Sequence, residues 1–157
     1  MKLQHVPVAK VEMLIRRPVA EVFEAFVDPA VTTKFWFTKS SGRLEEGKEV
    51  RWDWEMYGAS AQVIVKAVEE NRRIFIEWGG GGKFTRVEWL FTPREDGTFV
   101  TITNEGFSGT ADEIVAQAMD SVGGFTIVLA ELKAFLEHDV TLNLVSDKSP
   151  DAVKAPE

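Results

Sequence analysis

From Thr110 to His138 the apolar residues Ile114, Val115, Ala118, Met119, Val122, Phe125, Val128, Leu129, Leu132, Phe135 and Leu136 recur at intervals of three and four. That spacing gathers them on one stripe of an α-helix. Thr110 and Glu113 stand at capping-box spacing, so each side chain can satisfy an N–H that the helix start leaves orphaned. At about 1.5 Å per residue such a helix is roughly 40 Å long. An amphipathic helix of this length needs a large apolar partner, and the segment able to supply one is the strand-rich stretch before it.

That stretch opens at Val8–Ile15, where Ala9, Val11, Met13 and Ile15 alternate with Lys10 and Glu12, the mark of a half-buried strand. Pro18 then suits the first turn of a helix carrying Val19, Val22, Phe23, Phe26 and Val27. Asp28-Pro29 predicts a second short helix that ends at Phe35-Trp36-Phe37. A short strand near Ser40 and strands over 49–56, 59–69, 73–78, 85–92 and 98–105 follow, broken at Tyr57-Gly58, Glu70-Asn71, Gly79 to Gly82 and Pro93 to Gly97. Connections this short imply an antiparallel meander. Trp52, Trp54 and Met56 share one face; so do Val87, Trp89 and Phe91, and so do Val100, Ile102 and Asn104. The pattern predicts an α+β domain over residues 1–140, with 141–157 as a C-terminal extension of tail-like composition.

Composition narrows the classes. A chain of 157 residues that is 45% apolar can bury one sizeable core. With no cysteine, disulfides, thiolate metal sites and a Cys nucleophile are excluded. A formal charge of −7 disfavours a groove for nucleic acid. No signal-like run opens the chain and no stretch approaches 18 consecutive apolar residues, so it reads as soluble and cytoplasmic, without a transmembrane segment. Five Trp and eleven Phe exceed what a small core requires, which points to an aromatic-lined site.

The residues 17–29 (RPVAEVFEAFVDP), Phe35-Trp36-Phe37, Gly97-Thr98, Asn104-Glu105-Gly106-Phe107, and Gly124-Phe125 through Leu129, Leu132-Lys133 and Leu136-Glu137 together resemble the START-like (SRPBCC) superfamily. Within it they resemble the family named for the activator of the heat-shock-protein-90 ATPase. The resemblance spans roughly residues 8–138 and implies the helix-grip fold: a curved antiparallel sheet of six to seven strands around a long C-terminal helix, with two short helices after strand 1. Phe37 and Phe125 stand where the family commonly has Trp, so a pocket would be drier there.

In that fold a cavity can lie between sheet and helix, and similar domains use it for apolar ligands. The inward candidates are Trp52, Trp54, Met56, Val63, Val65, Trp78, Trp89, Phe91, Ile102 and Asn104 from strands, Phe35 and Trp36 from the short helix, and Phe125, Val128 and Leu129 from the long one. Complete interdigitation of these side chains is the alternative. Asn104 either orients a ligand or bonds backbone near Gly106. Gly123-Gly124 either loosens the helix over a cavity mouth or marks a bend or close contact. Gly79 to Gly82 lacks the features of a phosphate loop and predicts a flexible hairpin at the cavity rim. His5 and His138 have no nucleophile or carboxylate at motif spacing, and no cluster suggests a metal.

The expected role is binding a small hydrophobic, aromatic or lipid-like molecule, with no cofactor, no metal and no assigned catalytic residue. Two rivals remain. The resemblance implies contact with the heat-shock chaperone, although the eukaryotic activator's additional N-terminal domain is not seen here. A polyketide-cyclase-like enzyme shares the fold, and Glu77 and Asn104 are its sole candidates. Ile127 falls off the helix stripe and with Leu142 and Leu144 offers a dimer contact, so the chain is expected to be a monomer or a homodimer.

Overall fold

Alternating inward and outward residues build one seven-stranded sheet in the computed structural model, which describes residues 2–152. The order along the chain is β1 (Ala9–Ile15), α1 (Val19–Val27), α2 (Pro29–Thr32), β2 (Lys39–Ser40), β3 (Glu49–Trp54), β4 (Ala59–Glu69), β5 (Arg73–Gly80), β6 (Lys83–Arg94), β7 (Gly97–Glu105), α3 (Ala111–His138) and α4 (Leu144–Asp147). Every neighbouring pair is antiparallel, in the spatial order β1-β7-β6-β5-β4-β3-β2. The meander therefore runs from β2 to β7, and β1 closes it beside β7. This is the helix-grip arrangement. A bulge between Val65 and Ala67 shifts the register of β4 against β5 and adds bend to the sheet.

One face of the sheet is the core. Ile15, Val63, Val65, Ile74, Ile76, Val87, Trp89, Phe91, Val100 and Ile102 are all buried there. Helix α1 covers part of this face, with Phe23 edge-on to Phe91 at 5.2 Å. Helix α3 covers the rest through Ala118, Phe125, Val128, Leu129 and Leu132. Its start carries the full capping box: Glu113 N–H donates to Thr110 Oγ1 at 3.2 Å and Thr110 N–H donates to Glu113 Oε1 at 2.8 Å. By length and composition α3 also passes as a membrane-spanning helix, against the expectation from runs of apolar residues; here its inner face packs as the core helix of the domain.

Several boundaries differ from the sequence pattern. Strand β3 stops at Trp54, because Glu55–Tyr57 form a 3-10 turn closed by Gly58 in the left-handed conformation, and Trp54 pairs at once with Ala59. Met56 therefore leaves the face shared by Trp52 and Trp54. Helix α2 spans only four residues, with Asp28 Oδ1 accepting from Ala30 N–H at 3.0 Å, and Phe35 to Phe37 follow it in a turn and coil. Between β5 and β6 the ladder continues to the Gly80–Lys83 pair, leaving Gly81 (φ 62°) and Gly82 (φ 79°) as a tight two-residue turn in place of a flexible loop.

The buried sector of α3 is also turned from the predicted stripe. Met119 is 70% exposed and Val122 39%, whereas Ile127 and Glu131 on the opposite flank are covered. The segment after the helix accounts for the covered flank. It folds back on that flank, and the buried carboxylate of Glu131 accepts from the N–H groups of Leu142 (2.6 Å) and Leu144 (2.8 Å). Residues 141–152 of the extension thus pack on the domain; 153–157 lie outside the described residues.

At its far end α3 is tied to β1. Glu137 accepts from the Arg16 N–H at 2.8 Å and from Lys133 Nζ at 2.7 Å, and Lys133 also donates to the Leu14 carbonyl at 2.8 Å. Burial raises the affinity of Glu137 for a proton, but these hydrogen bonds outweigh it and hold the carboxyl below the ordinary value of 4.5. A carboxylate depressed by folding stabilises the fold above its unfolded value, and the contribution is lost as pH falls through the folded one. Glu137→Gln is therefore expected to lower stability by about 1–2 kcal/mol at neutral pH. Urea melts of the two proteins should converge as the pH drops below 4.5.

Candidate functional site

Large flat side chains cannot all interlock at the open end of the sheet, and a cavity of about 620 Å³ remains between the sheet's inner face and α3. That volume is in the range of small-molecule sites. Its aromatic wall is organised by Trp36, whose ring centre lies 6.0 Å from Trp54, 5.8 Å from Trp78 and 5.7 Å from Phe125. Trp78 and Phe125 lie 5.6 Å apart and tilted by 34°. On the helix side Gly124 opens the wall: a Cβ placed there would meet nothing within 4 Å.

One corner is polar. Asn104 is 3% exposed and comes from β7. Its amide nitrogen donates to the Arg86 carbonyl at 2.8 Å and to Thr85 Oγ1 at 2.9 Å, while its amide oxygen accepts from the Ser121 hydroxyl on α3 at 2.8 Å. Thr85 Oγ1 also accepts from the Trp78 indole N–H at 3.1 Å. This network joins β5, β6, β7 and α3 at the cavity surface. The Trp89 indole N–H, by contrast, has no partner among the described residues; ringed by Phe26, Trp36 and Phe125, it lies in the filled part of the core.

The C-terminal segment forms the remaining wall through Val145, Lys148, Ser149 and Ala152. It is held by the Glu131 carboxylate and by the Tyr57 hydroxyl, which donates to the Val145 carbonyl and lies 3.3 Å from that of Ser146. Gly123 lies beneath this segment, where a Cβ would stand 3.4 Å from Lys148 Nζ, close to an ordinary contact. The two glycines have different surroundings in an unbroken helix: Gly123 lies beside the segment and Gly124 faces space.

Of the residues the sequence marks as inward, Trp36, Trp54, Trp78, Asn104, Phe125 and Val128 line this cavity. Trp52, Val63, Val65, Trp89, Phe91, Ile102 and Leu129 do not; they are at most 2% exposed and interdigitate in the solid core. Phe35 and Met56 border a separate cleft of about 160 Å³ that also touches Trp36. Asn104 bonds the backbone carbonyl of Arg86, the cross-strand partner of Glu105 beside Gly106, and in addition the hydroxyls of Thr85 and Ser121. Glu77 faces outward, 3.5 Å from Lys66, and pairs across the sheet with Arg86, which removes it as a cavity acid. Ile127 is half-buried and forms part of the cavity wall. The Gly79 to Gly82 turn lies outside the lining.

Sequence reasoning missed Thr85, Ser121, Tyr57 and the C-terminal wall. Thr85 was within reach, because it continues the inward series Val87, Trp89, Phe91 by one step of two. Ser121 lies one turn before Phe125 on the same helical face. Nothing local marks the C-terminal residues, whose position depends on a carboxylate in the middle of α3.

Comparison with known proteins agrees with this architecture. The family model described as "Activator of Hsp90 ATPase homolog 1-like protein" matches residues 16–137. Similar solved structures include a protein of Staphylococcus saprophyticus, 34% identical, with 87% of this chain and 96% of that one covered and a TM-score of 0.75. The Aha1 dimer of Colwellia psychrerythraea is 18% identical, with 84% and 97% covered and a TM-score of 0.72. DynU16, from the dynemicin biosynthetic locus, is 23% identical, with 85% of this chain but 48% of that one covered and a TM-score of 0.76. No curated protein matches the chain.

Glu131 is the clamp on the C-terminal wall. Glu131→Ala should lower hydrogen-exchange protection at Leu142 and Leu144 by about tenfold or more, while amides of β4 to β7 keep theirs.

Proposed function

The chain belongs to the Hsp90 ATPase activator homologue 1-like family, and we propose that it binds a small apolar molecule of aromatic character in the cavity between the sheet and α3. The observation that carries this reading is the unfilled space itself, walled by Trp36, Trp54, Trp78 and Phe125 and opened further by Gly124. Beside it Trp52, Val63, Val65, Trp89 and Ile102 are fully buried in the core. Flat rings suit a flat guest, which can stack or meet them edge-on as they already meet one another.

Burial supplies the affinity. A bicyclic ring system hiding about 250 Å² of apolar surface gains roughly 6 kcal/mol at about 25 cal/mol per Å². Association costs consume part of this, so micromolar dissociation constants or weaker are expected for simple ring compounds. Residues 142–152 would cover the bound molecule and exclude water from it.

Gly124→Leu separates binding from stability. The leucine projects into the cavity and should weaken calorimetrically measured binding of acetylnaphthalene by more than about tenfold. It also replaces a helical glycine, so thermal stability should hold or rise by up to about 1 kcal/mol. Wild-type protein that gives no saturable heat with naphthalene, acetylnaphthalene or decanoate would overturn the binding role.

A further inference from the structure

The polar corner of the cavity has a hydrogen-bond polarity that its own atoms dictate. Resting on the binding role above, we propose that the natural guest is a ring compound bearing an acceptor oxygen, of the ketone, quinone or ester type, and that the Thr85 hydroxyl donates to it.

The assignment follows from counting protons. The Arg86 carbonyl can only accept, so the Asn104 group 2.8 Å from it is the amide nitrogen and not the oxygen. That same nitrogen stands 2.9 Å from Thr85 Oγ1 and gives it a second proton. The Trp78 indole nitrogen, 3.1 Å from Thr85 Oγ1, has no capacity except to donate. Thr85 Oγ1 therefore accepts twice, which uses both of its lone pairs. Its own proton remains, and no described residue accepts it.

Ser121 is arranged the opposite way. The amide orientation leaves Asn104 Oδ1 facing Ser121, so the serine proton is spent on it at 2.8 Å. Thr85 is consequently the member of this network with a proton still to give, beside the aromatic wall of a cavity whose polar lining residues Gln117, Asp120, Lys148 and Ser149 stand outside the network. A guest that is wholly hydrocarbon would bury that donor unpaired, at a cost comparable to a lost hydrogen bond. A guest whose oxygen reaches the corner would satisfy it. Because Trp78 belongs both to the stacking wall and to the network, a ring lying against Trp78 brings a substituent within reach of Thr85.

The test uses two planar molecules of the same shape, acetylnaphthalene and isopropenylnaphthalene, substituted at the same ring position. Their affinities for the full-length protein are measured by calorimetry, together with the infrared carbonyl band of bound, carbon-13-labelled acetylnaphthalene. The variants are Thr85→Val and Thr85→Ser, with Thr85→Ala, whose smaller side chain leaves room for a bridging water, where valine does not fold. In wild type and Thr85→Ser the carbonyl band should lie at lower wavenumber than in cyclohexane. Loss of the hydroxyl should return the band and reduce the ketone-to-hydrocarbon affinity ratio by about five- to tenfold. Any general damage to the cavity from the substitution weakens both ligands and cancels in that ratio. Binding of both ligands with an unshifted wild-type band, or with a ratio unchanged by loss of the hydroxyl, overturns the proposed polarity and leaves the cavity's binding role intact. Binding of neither ligand overturns both.

Discussion

The indole of Trp36 divides the interior of this protein into a filled part and an open one. On one side it meets Phe26, Phe37, Trp52 and Trp89, with Phe37 stacked on Trp52 at 4.6 Å, and these rings are buried in the core. On the other it meets Trp54, Trp78 and Phe125, and there the cavity begins. Indole rings have few torsions and fixed thickness, so edge-to-face contacts at 5–6 Å space them without closing every gap. Trp36 can take this position because α2 is a single turn, after which the chain carries the ring under α3.

The second constraint is electrostatic in origin. A buried carboxylate must be matched, and Glu131 is matched by two backbone N–H groups that lie eleven and thirteen residues further along. Satisfying it pulls residues 142–152 across the flank of α3. This covers the flank of the helix that carries Ile127 and Glu131, and adds Val145 and Lys148 to the surroundings of the cavity. The family match to residues 16–137 stops short of this segment. The aromatic wall therefore lies within the matched region, and the C-terminal cover lies beyond it.

Polar and aromatic parts of the site are not independent. Trp78 supplies a ring to the wall and an N–H to Thr85, so the orientation of the indole is set by a hydrogen bond as well as by packing. Asn104 crosslinks β6, β7 and α3 through three bonds, and Ser121 anchors the helix over the same point. A network in which nearly every proton is committed holds its shape before any ligand arrives, which limits the ordering entropy that binding would otherwise cost.

The sequence by itself determined the strand alternation, the capped long helix, the antiparallel meander and the inward direction of Trp36, Trp54, Trp78, Asn104 and Phe125. These features depend on period, turn residues and side-chain type, which act over a few neighbours. It could not separate Trp54 and Trp78, which face the cavity, from Trp52 and Trp89, which are packed solid, because all four obey the same alternation. Nor could it reveal that Met56 leaves its strand, since that depends on how soon β4 pairs with β3. Tertiary structure alone decided where the gap falls, which flank of α3 is covered, and which way the protons of Thr85 and Ser121 point. Those outcomes depend on contacts between residues distant in the chain, whose distances and hydrogen-bond directions no local pattern encodes.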